Sequence, residues 1–391
     1  MIPFEEALAT VLAAAPPVEA ETAGVLSALG RVLAQDVASD IDMPPFDKSA
    51  MDGYACRRAD LGGELTVIET IAAGAPPAKA VRQAQCSKIM TGAMVPDGAD
   101  CVVMVEYTQS PAEGKVRFTG GETADNICRM GEDIEAGDLV LRKGELITPA
   151  HVAVLATVGC VRPEVARRVQ IGIITTGDEI VDPEETPRTS QIRNSNGYQL
   201  HAQVKLMGAV PRYYGVAADT EESLNAALGP ALSECDIVML SGGVSMGDFD
   251  LVPGVLKANG VDLLFEKIAV KPGKPTVFGT SDKALVFGLP GNPVSTFIQF
   301  ETLVKPLVYR MMGHEFKPKS ILMPLGETVT RRNTARMSWL PVVFTEASSA
   351  VCVEYHGSAH SGAICRADGL LAVPIGVSEI EKGTIVRVRH L

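Results

Sequence analysis

From residue 169 onward, apolar runs of strand length break one after another into glycine-rich turns. Val169-Gln-Ile-Gly-Ile-Ile174 leads into Thr175-Thr-Gly-Asp-Glu179, and Asp236-Ile-Val-Met-Leu240 into Ser241-Gly242-Gly243. Ala284-Leu-Val-Phe287 leads into Gly288-Leu-Pro-Gly-Asn-Pro293, after which apolar residues recur at helical spacing. Further strand candidates at 210–215 and 261–268 alternate with helical patterns at 196–208 and 220–234. Alternation of this kind predicts a doubly wound α/β domain over about 167–316. In such folds ligands sit beyond the carboxyl ends of the strands, where all three turns would lie. A strand, glycine turn and helix start also aim several backbone N–H groups at one anion.

The residues around these turns suit a phosphate-bearing ligand. Lys271 and Lys274 are spaced three apart in Lys-Pro-Gly-Lys-Pro, where Pro272 and Pro275 restrict φ and Gly273 leaves it free. Two ammonium groups are thereby presented at little ordering cost. Asn292 and Pro293 read as N-cap and first residue of a helix containing Ser295. The candidate binding set is therefore Ser241, Gly242, Gly243, Ser245, Lys271, Gly273, Lys274, Pro290, Gly291, Asn292, Pro293 and Ser295. Asp178, Glu179, Asp219, Asp248 and Asp250 would crowd the same end of the sheet and repel an anion unless a cation intervenes. That predicts Mg²⁺, with Asp250 as first choice of ligand; for Asp219 a helix-capping role in Asp219-x-x-Glu222 is an equal alternative.

Bulk properties narrow the partners. The 391 residues carry 35 basic and 47 acidic side chains, a net charge of −12, which argues against nucleic acid and anionic membranes. Cations for an anionic ligand must then be gathered locally. The eight cysteines show no metal-ligand spacing and mostly lie in apolar runs. No leader pattern and no run near the ~20 apolar residues of a membrane span is visible, so the expected location is the reducing cytoplasm. No Ser/His/Asp or Cys/His arrangement stands out, which disfavours a nucleophilic hydrolase.

The rest of the chain reads as three further units. Residues 3–14 form an amphipathic helical pattern and Leu26, Leu29, Val32 and Leu33 a second one. Thr148-Pro149 to Gly159 reads as N-cap, helix and C′ glycine. Short β-branched runs between 61 and 145 predict an inserted antiparallel β domain. The expected division is a discontinuous helical support (1–42 and 136–166), an inserted β domain (43–135), the α/β domain (167–316) and a C-terminal β barrel or sandwich (317–391). Within the insertion, Asp52-Gly53 and Thr91-Gly92 read from turn chemistry alone as ordinary turns.

Taken together, PPFDKSAMDGYA (44–55), MTGA (90–93), GEDI (131–134), TTGDE (175–179), SGGVSMGDFD (241–250), KPGKP (271–275) and GLPGNPVS (288–295) resemble the MoeA-like family of molybdopterin molybdenumtransferases, which includes the E domain of gephyrin. The resemblance implies a homodimer of four-domain subunits that inserts molybdenum from molybdate into adenylated molybdopterin, with Mg²⁺, releasing AMP and molybdenum cofactor. A molybdopterin adenylyltransferase would be the upstream donor. Carried onto matching positions, it implies catalytic roles for Asp52, Thr91, Glu179, Asp250, Lys267 and Lys271, and metal roles for Asp250, Glu179, Asp219 and Asp133. Asp52, Thr91 and Asp133 would face the α/β domain of the other subunit, which displaces the turn-only reading. Arg193-Asn194-Ser195-Asn196 departs from the family's usual acid before Ser-Asn, and the match at Gly357 to Gly362 is loose, leaving Ser361 a weak candidate. A gephyrin-like scaffold and a nucleotide-processing enzyme are the alternative functions.

Overall fold

The computed structural model describes residues 1–244, 251–354, 357 and 359–391. Ser245, Asp248 and Asp250 lie outside the described residues.

The chain opens with helix α1 (Phe4–Ala13), whose Phe4, Ala7 and Val11 are buried at the predicted helical spacing. The second helical pattern is not realised: only Val25–Ser27 forms a single 3₁₀ turn. Leu26 and Leu29 are exposed, while Val32 and Leu33 are buried and make isolated bridges to Leu146 and Val165. Apolar spacing alone could not distinguish a helix from an irregular segment pinned by distant strands. Short antiparallel pairs, Ala20–Thr22 with Glu164–Ala166 and Val37–Ala38 with Leu139–Leu141, bring the two halves of this region together. Its helix, α2 (Pro149–Thr157), starts as expected, with the Thr148 hydroxyl accepting the His151 N–H.

Between those halves lies a six-stranded sheet of β1 (Gly53–Cys56), β2 (Glu64–Ile71), β3 (Gln85–Ile89), β4 (Cys101–Met104), β5 (Thr108–Gln109) and β6 (Lys115–Phe118), in the order β4-β1-β3-β2-β6-β5. The expectation of an antiparallel sheet needs one correction. β2 and β3 pair in parallel, because the long segment 72–84 returns the chain to the same end of the sheet.

The α/β region contains β7 (Gln170–Thr176), α3 (Ser195–Leu206), β8 (Val210–Ala217), α4 (Glu221–Glu234), β9 (Ile237–Ser241), α5 (Val252–Ala258), β10 (Asp262–Phe265), β11 (Val277–Thr280), β12 (Leu285–Leu289) and α6 (Pro293–Gln299). A five-residue π turn joins α6 to α7 (Lys305–Met311). The sheet runs β8-β7-β9-β12-β11-β10. β8, β7, β9 and β12 are parallel, whereas β11 is antiparallel to both of its neighbours. Alternate side chains enter opposite cores, as the pleat requires. Ile237, Met239, Leu285 and Phe287 join the core on the side of α1 and α6, and Val238, Leu240 and Val286 the core with Leu224 and Leu228 of α4. Two local expectations fail here. α4 is capped by Thr220, whose hydroxyl accepts the Ser223 N–H, and not by Asp219; the Asn292 side chain makes no capping bond to α6.

The C-terminal strands β13 (Ser320–Pro324), β14 (Met337–Phe344), β15 (Ala350–Cys352), β16 (Gly369–Val373) and β17 (Ile385–His390) build one further sheet, with β15 pairing β14. Its edge is completed by Val270–Lys271, which pairs in parallel with Met337 and Ser338. Trp339 and Leu370 belong to the same apolar core as α1 and the α/β sheet, so these layers are packed as one unit.

Candidate active site

Register decides what meets at the end of the parallel strands. Thr175 lies opposite Ser241, and Ser241 opposite Leu289. The next residues of all three strands, Thr176-Gly177, Gly242-Gly243 and Pro290-Gly291, therefore emerge side by side. The chain places β8 on one side of β7 and β9 on the other, so this is a topological switch point. A cleft of about 390 Å³ opens there, with Glu179, Asp219, Ser241, Gly242, Gly243 and Gly291 among its walls.

Close backbone approach shapes this cleft. Gly242 has φ +108°, and a Cβ added there would meet the carbonyl oxygen of Thr176 at 2.5 Å. Its N–H donates to the Leu289 carbonyl at 3.1 Å. Asn196, near the start of α3, brackets the two turns: its amide donates to Ser241 Oγ at 2.8 Å and to the Gly291 carbonyl at 2.7 Å. The preceding Asn194 caps α3 by accepting the Gly197 N–H. Asn196 Oδ1 and Thr176 Oγ1 are buried without a partner among the described residues. Buried, unpaired oxygens beside an open cleft call for a partner, which water or polar ligand atoms would supply.

A second and larger cleft, about 940 Å³, adjoins the first and shares Pro275, Pro290 and Asn292 with it. Lys271, Gly273, Lys274 and Ser295 line it from the α/β side. Arg331, Arg332 and Arg336 line it from the C-terminal sheet. The parallel pairing of Val270–Lys271 with Met337–Ser338 is what joins the two sides. Arg331 is held by the Val377 carbonyl at 2.5 Å, by the Arg336 carbonyl and Ser338 Oγ at 2.8 Å each, and by the Pro374 carbonyl. The ammonium groups of Lys271 and Lys274 belong to exposed residues. In a chain of net charge −12 this wall concentrates cations on one face.

The structure thus brings together Glu179, Asp219, Ser241, Gly242, Gly243, Lys271, Gly273, Lys274, Pro290, Gly291, Asn292 and Ser295 in two joined clefts. Pro293 starts α6 but lines neither cleft, and the same is true of Lys267, whose carbonyl accepts the Ile2 N–H. Ser361 precedes a four-residue helix and lines neither cleft, although Gly357, at the start of the same loosely matching segment, lines the larger one. Asp52, Thr91 and Asp133 lie in the insertion and line neither cleft. Asp52 accepts the Thr91 N–H at 2.7 Å and the Thr91 hydroxyl at 2.9 Å. Those two bonds, the N–H first, hold its carboxyl below the ordinary carboxylate range.

Asn196, Arg331, Arg332 and Arg336 were not expected as site residues. Three arginines within six positions of an acidic chain were a usable signal for the last three. For Asn196 no local pattern announces that both glycine turns end on one amide.

Among the described residues no group of three or more His, Cys, Asp and Glu side chains is placed to hold a metal ion. Glu179 and Asp219 do share one cleft, and Mg²⁺ is commonly held by one or two carboxylates together with phosphate oxygens and water. The donor set is compatible with that ion.

Residues 2–159 match the family model of the MoeA N-terminal region (domains I and II), and residues 172–310 that of a probable molybdopterin-binding domain. The molybdopterin molybdenumtransferase of Staphylococcus epidermidis is 37% identical over 373 residues, covering 92% of this chain and 88% of the relative. That of Bacillus subtilis is 35% identical over 389 residues, covering 97% and 86%. A solved molybdopterin biosynthesis MoeA protein from Pyrococcus horikoshii superposes with a TM-score of 0.86 at 29% identity, covering all of both chains. With its switch-point cleft, its lysine loop and relatives that match it from end to end, the chain belongs to the MoeA family of molybdopterin molybdenumtransferases.

Proposed function

We propose that this protein acts in molybdenum cofactor biosynthesis as a transferase, inserting molybdenum from molybdate into adenylated molybdopterin and releasing AMP and molybdenum cofactor. One observation carries the reading: a glycine-turn cleft with two carboxylates opens directly into a cleft walled by lysines and arginines. The first suits a phosphoanhydride laid against backbone N–H groups, the second a small dianion. Ser241, Gly242, Gly243 and Gly291 would cradle the substrate phosphates, with Asn196 keeping the two turns in register. Lys271 and Lys274 would hold molybdate against the arginine wall and stabilise charge that builds on its oxygens. Glu179 is exposed at the cleft and suited to orient the water that cleaves the phosphoanhydride. Mg²⁺, held by Glu179 and Asp219, would supply charge neutralisation at the phosphate oxygens.

The same reading includes a homodimer in which Asp52, Thr91 and Asp133 complete the site of the other subunit; Asp52, an exposed carboxylate fixed by Thr91, is the part of the insertion best prepared for that role. It retains the four-unit division of the chain, supported by the separate sheets and the strand pairs that close the discontinuous unit. A molybdopterin adenylyltransferase supplies the substrate, and the site of action is the cytoplasm. In support, none of the described helices is long and apolar enough to cross a membrane, and the cysteines are free thiols. Release of AMP from adenylated molybdopterin, measured with and without molybdate and Mg²⁺, tests the proposal. Release that depends on both is expected; turnover indifferent to molybdate overturns it.

A further inference from the structure

The two clefts are joined by helix α6, which begins just after Gly291-Asn292 and ends at Gln299 beneath the lysine loop. Seven residues at about 1.5 Å rise make a strut roughly 10 Å long. Gln299 is fully buried, and its side-chain amide donates to the Pro272 carbonyl at 3.2 Å. Gly273 sits on top of that amide with φ +104°, and a Cβ there would meet Gln299 Nε2 at 2.2 Å. Beyond it, the Thr276 hydroxyl donates to the Gly273 carbonyl at 2.7 Å. Lys271 and Lys274, on either side of the anchored Pro272-Gly273, are exposed.

The other end of the Gln299 amide is informative. Oε1 is buried with no partner among the described residues. A buried acceptor left unpaired carries a desolvation penalty that an apolar side chain of similar length would avoid. What the amide offers at this position is its N–H donor, and that donor goes to the loop carrying both lysines. A polar group is thus placed in the core where it fixes the backbone of a functional loop.

We infer that Gln299 is a positioning residue for oxyanion binding, holding the Lys271–Lys274 loop in a set pose relative to the glycine turns at the other end of α6. Without its donor the loop carbonyl at Pro272 loses its anchor and the two ammonium groups sample several poses. The inference deepens the proposed function, since it rests on Lys271 and Lys274 binding the molybdate dianion. Substrate contact belongs to the lysines; Gln299 acts through them.

Gln299→Met in the full chain tests this, because it keeps the length and removes the donor. Hydrogen exchange of peptides covering residues 268–276 reports the loop directly, and equilibrium binding of molybdate and of AMP reports the two clefts. Loop exchange and the molybdate Kd should each rise by about tenfold, the worth of one hydrogen bond, with AMP affinity unchanged. Unchanged loop exchange overturns the inference whatever binding does. So does faster exchange with unaltered molybdate affinity, if Lys271→Ala weakens molybdate in the same assay. If Lys271→Ala also leaves molybdate affinity unaltered, the oxyanion reading of the lysines fails, while faster loop exchange still establishes Gln299 as the anchor of the loop. Gln299→Leu, likewise without a donor, replaces the methionine variant should that one fail to fold.

Discussion

In the proposed function the two joined clefts would meet anionic ligand groups by different means. The glycine-turn cleft is made of backbone: Gly242 and Gly243 follow β9, Gly291 follows β12, and one amide, Asn196, holds the two turns together. The lysine cleft is made of charged side chains gathered from two sheets, with Lys271 and Lys274 facing Arg331, Arg332 and Arg336. Backbone N–H groups cost no side-chain entropy and are fixed by strand register, so such a site is specific in shape. Flexible cations supply stronger and longer-ranged attraction but need an anchored loop to direct them. A phosphoanhydride of defined geometry suits the first arrangement, and a small, nearly isotropic dianion the second.

The sharpest way to break that contrast is Lys271→Ala. Loss of one charge-assisted contact should weaken molybdate binding by about 1.5–3 kcal/mol and leave AMP binding unaffected. Equal losses for both ligands would mean that the clefts do not divide the labour. Asn196→Leu is the reciprocal experiment. It removes both bonds between the turns, and the expected cost is about 2 kcal/mol in AMP affinity with molybdate affinity retained, read by calorimetry.

The smallest effect is expected in the insertion, which belongs to neither cleft. Thr91→Val removes the hydroxyl donor to Asp52 but leaves the backbone N–H, so the carboxyl should titrate closer to its ordinary value by NMR. The folded-state pKa of Asp52 is depressed, so whatever stability it contributes is present above the unfolded-state value and lost as pH falls through the folded one. Thermal stability of Thr91→Val should therefore fall slightly below that of the parent near neutral pH and converge on it at low pH, once the carboxyl is protonated in both. A loss that persists undiminished at low pH would point instead to a packing role for Thr91.

Much of this arrangement was legible before any coordinates. Strand runs ending in Thr175-Thr-Gly, Ser241-Gly-Gly and Leu289-Pro-Gly announced themselves because side-chain periodicity and glycine turns are local properties. The spacing of Lys271 and Lys274 was equally plain. Local reading failed where two structures satisfy one pattern. Leu26, Leu29, Val32 and Leu33 have helical spacing, yet Val32 and Leu33 are claimed by bridges to Leu146 and Val165. Thr220 took the cap that Asp219 was equally suited to fill, since neighbouring residues with short oxygen-bearing side chains compete for the same N–H. The antiparallel hairpin of β11 and β12 was missed because no strand was expected over Val277–Thr280, and the direction of a strand is in any case a property of pairs.

The amino-acid sequence alone determined the family, the α/β pattern, the turns and the lysine loop, since each is written in contiguous residues. Only the tertiary structure decided which distant groups share a cleft. The pairing of Lys271 with Ser338 brings the arginine wall to the lysines, and the register of Thr175, Ser241 and Leu289 aligns the turns that Asn196 then joins. Gln299 is the plainest case, a buried polar residue whose bond to the Pro272 carbonyl is visible only once the lysine loop lies above α6. Long-range pairing is set by the summed burial and hydrogen bonding of whole layers, and no short stretch of chain carries that sum.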